Sequence, residues 1–237
     1  MAFPSTLVSI GDFAFCGCKA LADISWSEGL LSIGESAFQN NTSLTALTLP
    51  ATLTSLGNYA FDGCTYLRSV RLPGSLLTLG RSAFQSCHYL ADLAIESGLA
   101  EIPDYAFNGC PSLKNITLPA SITKIGEYAF QNSVNVETFQ CFAADPPSIS
   151  SKAFTKYCTV HVLPGSKQLY ESNSVWKNFT IVDDLEPHPD FSTPAGIHSP
   201  SLSAPAASLC FDLHGRPIRQ HQQSSGIRLT QGRKVIR

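Results

Sequence analysis

The sequence predicts a β-rich repeat solenoid, a fold in which one short unit of chain stacks on copies of itself. The dipeptide Ala-Phe recurs at intervals of 23 residues, with one interval of 24. Its phenylalanines, called the spine here, are Phe15, Phe38, Phe61, Phe84, Phe107, Phe130 and Phe154. Apolar residues also return at constant offsets within each period, as expected when one supersecondary unit is repeated. We therefore expect about seven repeats of 23 residues that share one core.

The first apolar group of each repeat predicts a short strand. Apolar side chains stand 6, 9 and 11 residues after the spine phenylalanine, as do Leu67, Val70 and Leu72. The last two alternate like strand residues that point into a core. Proline directly follows three of these strands, and its missing N–H ends a hydrogen-bond ladder. These prolines are Pro50, Pro73 and Pro119.

A second apolar pair, such as Leu53 with Leu56, predicts another short strand or turn on the opposite wall of the coil. A glycine follows this pair in five repeats, and we expect it to supply positive φ at a turn. These glycines are Gly11, Gly34, Gly57, Gly80 and Gly126. Pro103 takes the same place in one repeat, so positive φ is not a strict requirement there.

Repeat units such as IGESAFQNNTSLTALTLPATLTSL resemble BspA-like leucine-rich repeats from Phe3 to about Phe154. Such repeats are common in surface proteins of anaerobic bacteria, including Bacteroidetes, and of some parasitic protists. The asparagine or cysteine that usually follows L-x-L is absent, and cysteine instead precedes the strand, as in the BspA-like class. The resemblance implies a right-handed leucine-rich-repeat coil that binds other proteins.

The loss of periodicity divides the rest of the chain. Residues 1–141 form the solenoid, and residues 142–186 form the last repeat and a C-terminal cap. Residues 187–207 are rich in proline, serine and alanine, which is typical of a flexible linker. Residues 208–237 contain two strand-like runs separated by polar turns, which predict a small β tail.

In the cap, we expect a short helix within residues 165–175 that directs Leu169 and Tyr170 inward, while Trp176 and Phe179 seal the last coil. The tail resembles the C-terminal sorting module of secreted Bacteroidetes proteins, which implies export by the type IX pathway. The matching positions are Phe211-Asp212-Leu213, Gly215-Arg216, Gly226-Ile227 and Gly232-Arg233-Lys234.

Composition excludes some classes of partner. Charged residues make up 14% of the chain, the net charge is −2, and no basic stripe indicates nucleic-acid binding. No apolar run approaches the length of a membrane span. The chain begins inside a repeat, without the pattern of a signal peptide. We expect a C-terminal piece of a longer exported protein, or a gene whose start is missing, and a monomer that is extracellular or on the cell surface.

Four cysteines share one column, three residues after the spine phenylalanine, where asparagine and serine also occur. They are Cys18, Cys64, Cys87 and Cys110, with Asn41 and Ser133 in the same place. The interchange predicts a small buried side chain that hydrogen-bonds a turn. Because the cysteines follow the repeat and not a disulfide framework, we expect reduced thiols, with disulfides or a metal as the less favoured alternative.

The sequence contains no signature of catalysis. The histidines lack partners at metal-ligand spacing, and no nucleophile elbow, phosphate loop or zinc-protease motif occurs. We therefore expect no cofactor and no enzymatic activity. A carbohydrate-active enzyme is the least favoured alternative, because it would need a catalytic domain before Met1.

The candidate binding surface is the exposed face of the predicted strands, which lines the concave side in leucine-rich solenoids. Its candidate residues are Arg68, Arg71, Lys114, Asp92, Asn115, Thr48, Thr117 and Gln140. This polar face of mixed charge predicts weak or multivalent protein binding, with a merely solvated face as the alternative. Tyrosines in the turns either contact a partner or cover the edge of the core. These tyrosines are Tyr59, Tyr66, Tyr89, Tyr105 and Tyr128.

The leading functional hypothesis is an adhesion module that binds host or bacterial surface proteins through many similar coils. The alternative is a structural spacer or stalk in a larger exported protein, with no binding of its own.

Overall fold

The computed structural model describes residues 1–188 and Phe191, together with the backbone of two short strands near the C-terminus. Residues 1–188 form a parallel β-solenoid of about eight turns with a spacing of about 23 residues, which confirms the predicted fold class. Each turn has three hydrogen-bonded walls around the apolar core: a long sheet, a wall of short strands, and a wall of turns that contains the spine phenylalanines.

The long sheet contains seven parallel strands. Its strands are β3 (Leu47–Thr48), β5 (Ser69–Leu72), β7 (Asp92–Ile95), β9 (Asn115–Leu118), β11 (Thr138–Cys141), β13 (Thr159–Val162) and β14 (Thr180–Val182). In β5, Val70 and Leu72 are buried while Ser69 and Arg71 are exposed. The predicted alternation is therefore confirmed, and one face of the sheet is left for solvent or a partner.

The second wall consists of two short-stranded sheets. One contains β1 (Ser9–Ile10), β2 (Ser32–Ile33), β4 (Ser55–Leu56) and β6 (Thr78–Leu79), and the other contains β8 (Glu101–Ile102), β10 (Lys124–Ile125) and β12 (Ser148–Ile149). Within each sheet the residue after a strand donates to the coil before it, as Gly57 N does to Ile33 O at 2.8 Å. Pro103 occupies this position between β6 and β8, and it has no N–H to donate. The wall divides at this proline.

The third wall is built from the five residues centred on each spine phenylalanine. The backbone N–H of Phe61 donates to the carbonyl of Ala83 in the next coil at 2.8 Å, and Phe84 and Phe107 repeat this bond at the same distance. Positive φ angles occur in this wall, two residues before and two residues after the phenylalanine. The residues are Phe13, Ser36, Tyr59, Ser82, Tyr105 and Tyr128, and then Gly17, Asn40, Gly63, Ser86, Gly109 and Asn132.

The prediction of positive φ at Gly34, Gly57 and Gly80 was therefore wrong, as it was for Gly11 and Gly126. Close approach between coils requires glycine at four of these positions, Gly34, Gly57, Gly80 and Gly126, but not at Gly11. A Cβ atom at Gly57 would lie 2.6 Å from the backbone nitrogen of Glu35 and 2.7 Å from the carbonyl oxygen of Gly34. The backbones of successive coils touch at this column, which leaves no room for a side chain.

The spine phenylalanines stack along the solenoid as predicted. From Phe38 to Phe130, successive ring centroids are 5.3 to 5.5 Å apart and the rings are within 9° of parallel. These rings are fully buried, whereas Phe15 in the first complete coil is partly exposed. Each ring contacts the ring above and the ring below, so every coil supplies part of its neighbours' core.

The C-terminal cap contains the α-helix α1 (Lys167–Ser172) and the 3₁₀-helix Trp176–Asn178. Tyr170 and Trp176 are fully buried, and Tyr170 donates from its hydroxyl to the carbonyl of Ala143 at 2.8 Å. Phe179 is also buried, so the predicted seal is confirmed. Leu169 was predicted wrongly, since it is 48% exposed. Neighbouring residues of a short helix point in different directions, and Tyr170 takes the inward one.

Two compact units are distinguished, Met1–His198 and Ser199–Arg237. In the second, β15 (Cys210–Phe211) pairs in antiparallel fashion with β16 (Pro217–Ile218). The rest of the predicted sorting module, and the predicted linker apart from residues 187, 188 and 191, lie outside the described residues. Their interpretation stays a prediction.

Where the cysteine column is buried it forms hydrogen bonds to turns, as predicted, but the prediction was wrong for Cys18, which is exposed in the first coil. The thiols of Cys64, Cys87 and Cys110 donate to the carbonyl of the spine phenylalanine one coil earlier, at 3.3 to 3.4 Å. Ser133 and Asn41 make the equivalent bond from their hydroxyl and amide groups. Because the column needs only a small donor, the three residue types can replace one another.

Stability is expected to fall in alkaline solution because of these thiols. Burial raises the pKa of Cys64 and of Cys110 from 9.0 to about 12. Between these values the unfolded chain loses the thiol protons that the folded chain retains, so unfolding becomes more favourable as the pH rises. Moving from about pH 8 to about pH 10 should reduce the free energy of unfolding by about 2–3 kcal/mol through these two thiols.

Urea unfolding of the wild type and of a Cys64→Ser/Cys110→Ser variant at both pH values measures this effect. The variant keeps the hydrogen-bond donors, as Ser133 shows, but has nothing to ionise in this range. Between the two pH values, its free energy of unfolding should therefore fall by about 2–3 kcal/mol less than that of the wild type. Equal losses in the two proteins would contradict the assignment.

Candidate functional site

The candidate residues lie on the exposed face of the long sheet or immediately before its strands. One row across neighbouring strands joins Thr48, Arg71, Ala94, Thr117, Gln140 and His161 by their register. A second row contains Ser69, Asp92, Asn115 and Thr138. Arg68 and Lys114 are exposed just before β5 and β9. The fold therefore brings the eight candidates onto one surface.

Neighbouring polar side chains on this surface bond to one another. Asn115 donates from Nδ2 to Asp92 Oδ1 at 2.5 Å, and Thr117 donates from Oγ1 to Gln140 Oε1 at 3.3 Å. Bonds between adjacent strands hold these side chains in defined positions. A partner would meet an ordered polar surface.

Carboxylates lie beside two of the three cations. Arg71 Nε lies 2.6 Å from Glu96 Oε1, and Lys114 Nζ lies 3.0 Å from Glu137 Oε1. Glu96 also accepts a bond from the backbone of Gly74. The surface thus alternates in charge. Glu96 stands where a proline ends other strands. The repeat pattern therefore did not predict that its carboxylate would bind Arg71 and the backbone of Gly74.

An apolar cluster at the C-terminal part of this face was also missed. Phe142, Leu185 and Phe191 are buried together and pack against Ala94, Ala120 and Leu163, separately from the solenoid core. The rings of Phe142 and Phe191 are 5.3 Å apart and stacked. Phe142 stands where Pro50, Pro73 and Pro119 stand in other repeats. That replacement is the only signal of the cluster in the repeat pattern.

The cluster forms because the chain returns across the sheet after β14. The backbone of Leu185 donates to Val162 O at 3.1 Å, and Ala120 donates to Phe191 O at 2.6 Å. The guanidinium carbon of Arg71 lies 5.8 Å from the centre of the Phe191 ring. Phe191 belongs to the stretch that the composition assigns to the linker, yet its side chain is buried on the candidate surface.

A depression of about 580 Å³ lies beside this cluster. Its polar lining includes Thr138, Gln140 and His161, and the His161 Nδ1 atom is 2.7 Å from Asp184 Oδ1. Phe142 and Phe191 form its apolar side. The exposed face therefore combines an aromatic cluster with hydrogen-bonding groups.

Two pairs of the predicted tyrosines form separate groups in the turns. Tyr66 and Tyr89 stack at 5.1 Å and are each 50% exposed. Tyr105 and Tyr128 stack at 4.8 Å. Arg81 lies over the Tyr105 ring and Lys152 over the Tyr128 ring, at 4.8 and 5.5 Å from their centres. The second pair is engaged within the protein, whereas the first is half exposed to solvent.

Among residues 1–188 and Phe191, no three His, Cys, Asp or Glu side chains are grouped so that they could hold a metal ion. None of the helices in the described part of the chain has the length and apolar content of a membrane span.

Two solved structures with TM-scores above 0.5 share the solenoid fold. The T. pallidum leucine-rich repeat protein TpLRR is 26% identical with a TM-score of 0.53, over 57% of this chain and 77% of that one. The pneumococcal vaccine antigen PcpA is 19% identical with a TM-score of 0.52, over 69% of this chain and 55% of PcpA. A leucine-rich repeat protein from Bacteroides ovatus is 23% identical with a TM-score of 0.47, over 68% and 54%. This chain thus spans about half the length of the last two proteins.

No curated protein matches the chain significantly. The BspA type leucine-rich repeat region matches in six copies, over residues 1–110 and 31–161. These matches cover more than half of the sequence and coincide with the stacked coils. The chain belongs to the BspA type leucine-rich repeat family.

Proposed function

We propose that this protein is an extracellular or cell-surface interaction module that binds host or bacterial surface proteins through the exposed face of its long sheet. The observation that carries the proposal is the apolar cluster of Phe142, Leu185 and Phe191 beside ordered polar rows on that face. Aromatic residues and arginine dominate the binding energy of many interfaces. Similar coils side by side favour a partner that is contacted repeatedly. The resemblance of the tail supports export by the type IX pathway.

A structural spacer is the second candidate function. The side-chain bonds between Asp92 and Asn115, and the ion pairs of Arg71 and Lys114, also fit a face that is merely solvated. Surface ion pairs contribute little to stability, so their presence alone does not indicate a binding site.

Charge reversal distinguishes the two functions. We expect a variant with Arg68, Arg71 and Lys114 replaced by Glu to lose at least about tenfold in affinity for a surface-protein partner, because rim cations steer association and truncated pairs leave carboxylates unpaired. Partners are to be found by a binding screen of the full chain against host-matrix proteins.

The matched control replaces Lys124, Lys152 and Lys167 by Glu, since these exposed lysines are not in the strands of the long sheet. It changes the net charge by the same amount and should bind like the wild type. Equal losses in both variants would show that overall charge drives binding and would contradict the proposed face. Absence of any partner would favour the spacer.

A further inference from the structure

We propose that the surface formed by Arg71, Ala94, Ala120, Phe142 and Leu163, named the aromatic site here, binds an extended peptide segment that carries an aromatic side chain. We further infer that the chain's own Leu185 and Phe191 occupy this site in cis, so that a partner segment must displace them. The inference deepens the proposed function, on which its biological meaning rests, by naming the chemistry of the partner.

The aromatic site holds the side chain of Phe191 on several sides. Phe142 stacks on the ring, and Arg71 faces it at a cation–π distance. Ala94 lies between Arg71 and Thr117 in its row and is small enough to leave space above the sheet. Only 8% of Phe191 remains exposed. The site therefore fits a planar apolar side chain.

The site also binds backbone. The N–H of Ala120 donates to the carbonyl of Phe191 at 2.6 Å. Ala120 follows β9 beyond Pro119, where the sheet ladder has ended and its N–H is available to another segment. An aromatic anchor with a main-chain hydrogen bond beside it is a recurring mode of peptide recognition.

The occupying segment can leave without opening the solenoid. Its apolar cluster is separate from the core that contains the spine. The described residues of the segment make backbone bonds to the rest of the solenoid at Val162 and Ala120. The depression lined by Thr138, Gln140 and His161 lies beside Phe191 and provides room for residues that flank a partner's aromatic side chain.

Competition between the cis segment and the same segment in trans tests the proposal. The probe is a fluorescein-labelled peptide of residues 183–193, and its anisotropy is measured with the full-length chain and with Phe191→Ala. A tethered segment acts at an effective concentration on the order of millimolar. We therefore expect the variant, whose cis segment lacks the aromatic anchor, to bind the peptide at least about tenfold more tightly than the wild type.

Two controls isolate the aromatic site. A peptide in which Phe191 is replaced by alanine should not bind the variant chain. A Leu169→Ala chain, which loses an exposed apolar side chain on α1, should behave like the wild type. In parallel, amide exchange at Ala120 should be faster in Phe191→Ala than in the other two chains, because the bond to Phe191 O is weakened.

Equal binding of the two peptides by Phe191→Ala, or unchanged exchange at Ala120, would overturn the proposal. The test uses only the chain and its own segment, so it does not depend on finding an external partner. Failure to find a partner in the binding screen would therefore leave the aromatic site standing. Failure of the peptide to bind Phe191→Ala would overturn the aromatic site and would leave the rest of the face open to test.

Discussion

Replacing Phe84 with alanine is expected to lower the free energy of unfolding by about 3–5 kcal/mol. Phe84 is fully buried and stacks on Phe61 at 5.4 Å and on Phe107 at 5.5 Å. Removing its ring leaves a cavity that borders both neighbouring coils, and it removes two aromatic contacts. Because a repeat is stable only against its neighbours, the loss should weaken the coils on both sides.

Chemical denaturation followed by circular dichroism measures this loss. Phe15→Ala is the matched control, because Phe15 belongs to the same column but is partly exposed in the first complete coil. We expect it to destabilise by no more than about half as much. If the two variants were equally unstable, stacking within the spine would not determine the stability of the array.

Replacing Gly57 with alanine is expected to destabilise the protein by about 3 kcal/mol, the upper part of the range for overpacking. The added methyl group would lie 2.6 Å from the backbone nitrogen of Glu35 and 2.7 Å from the carbonyl oxygen of Gly34. Backbone atoms cannot rotate away as a side-chain tip can, so the coils must separate. This separation would also weaken the bond from Gly57 N to Ile33 O.

Gly11→Ala is the control from the same column, since nothing lies within 4 Å of a Cβ atom there. Without a clash, alanine reduces the entropy of the unfolded chain and should be neutral or stabilising by up to about 1 kcal/mol. The two substitutions are therefore expected to differ in sign. Destabilisation of similar size at both positions would indicate a conformational requirement for glycine and would contradict the role of close approach.

The features set by the repeat could be predicted from the sequence. The spine and the alternation of Val70 with Leu72 follow from period and apolar pattern, since a column that is apolar in every coil has only the interior to occupy. The cysteine column was predictable because Asn41 and Ser133 reveal what its side chains must do. These predictions hold for the coils inside the array, whereas Phe15 and Cys18 in the first coil are not fully buried.

Contacts between coils were harder to predict. A glycine that recurs in five repeats is compatible with positive φ or with a close neighbour, and the sequence around Gly57 does not distinguish the two. Its position alone could not show that the backbone of Gly34 lies against it. Which side of a short helix faces the core depends on what the helix packs against. The sequence does not show this, so Leu169 and Tyr170 were both predicted to point inward, and only Tyr170 does.

The candidate site was predictable only in part. The exposed position of Arg71 follows from alternation along its strand, and those of Arg68 and Lys114 follow from their place between the apolar columns. The aromatic site does not, because Phe142 and Phe191 are 49 positions apart in the sequence and only Phe142 belongs to the repeat. The composition of a proline-rich stretch predicts a linker, and it does not show whether one side chain, such as Phe191, is buried against the solenoid.

The constant separation of bonded residues has a consequence for how the protein folds. The backbone bonds from each spine phenylalanine reach the alanine 22 or 23 positions ahead, and the cysteine column reaches 26 positions back. Closing such a loop carries the same entropic penalty near either end of the array. Adding further coils would thus leave the length of the longest loop to be closed unchanged. The chain can therefore become longer in this architecture without a proportional decrease in folding rate.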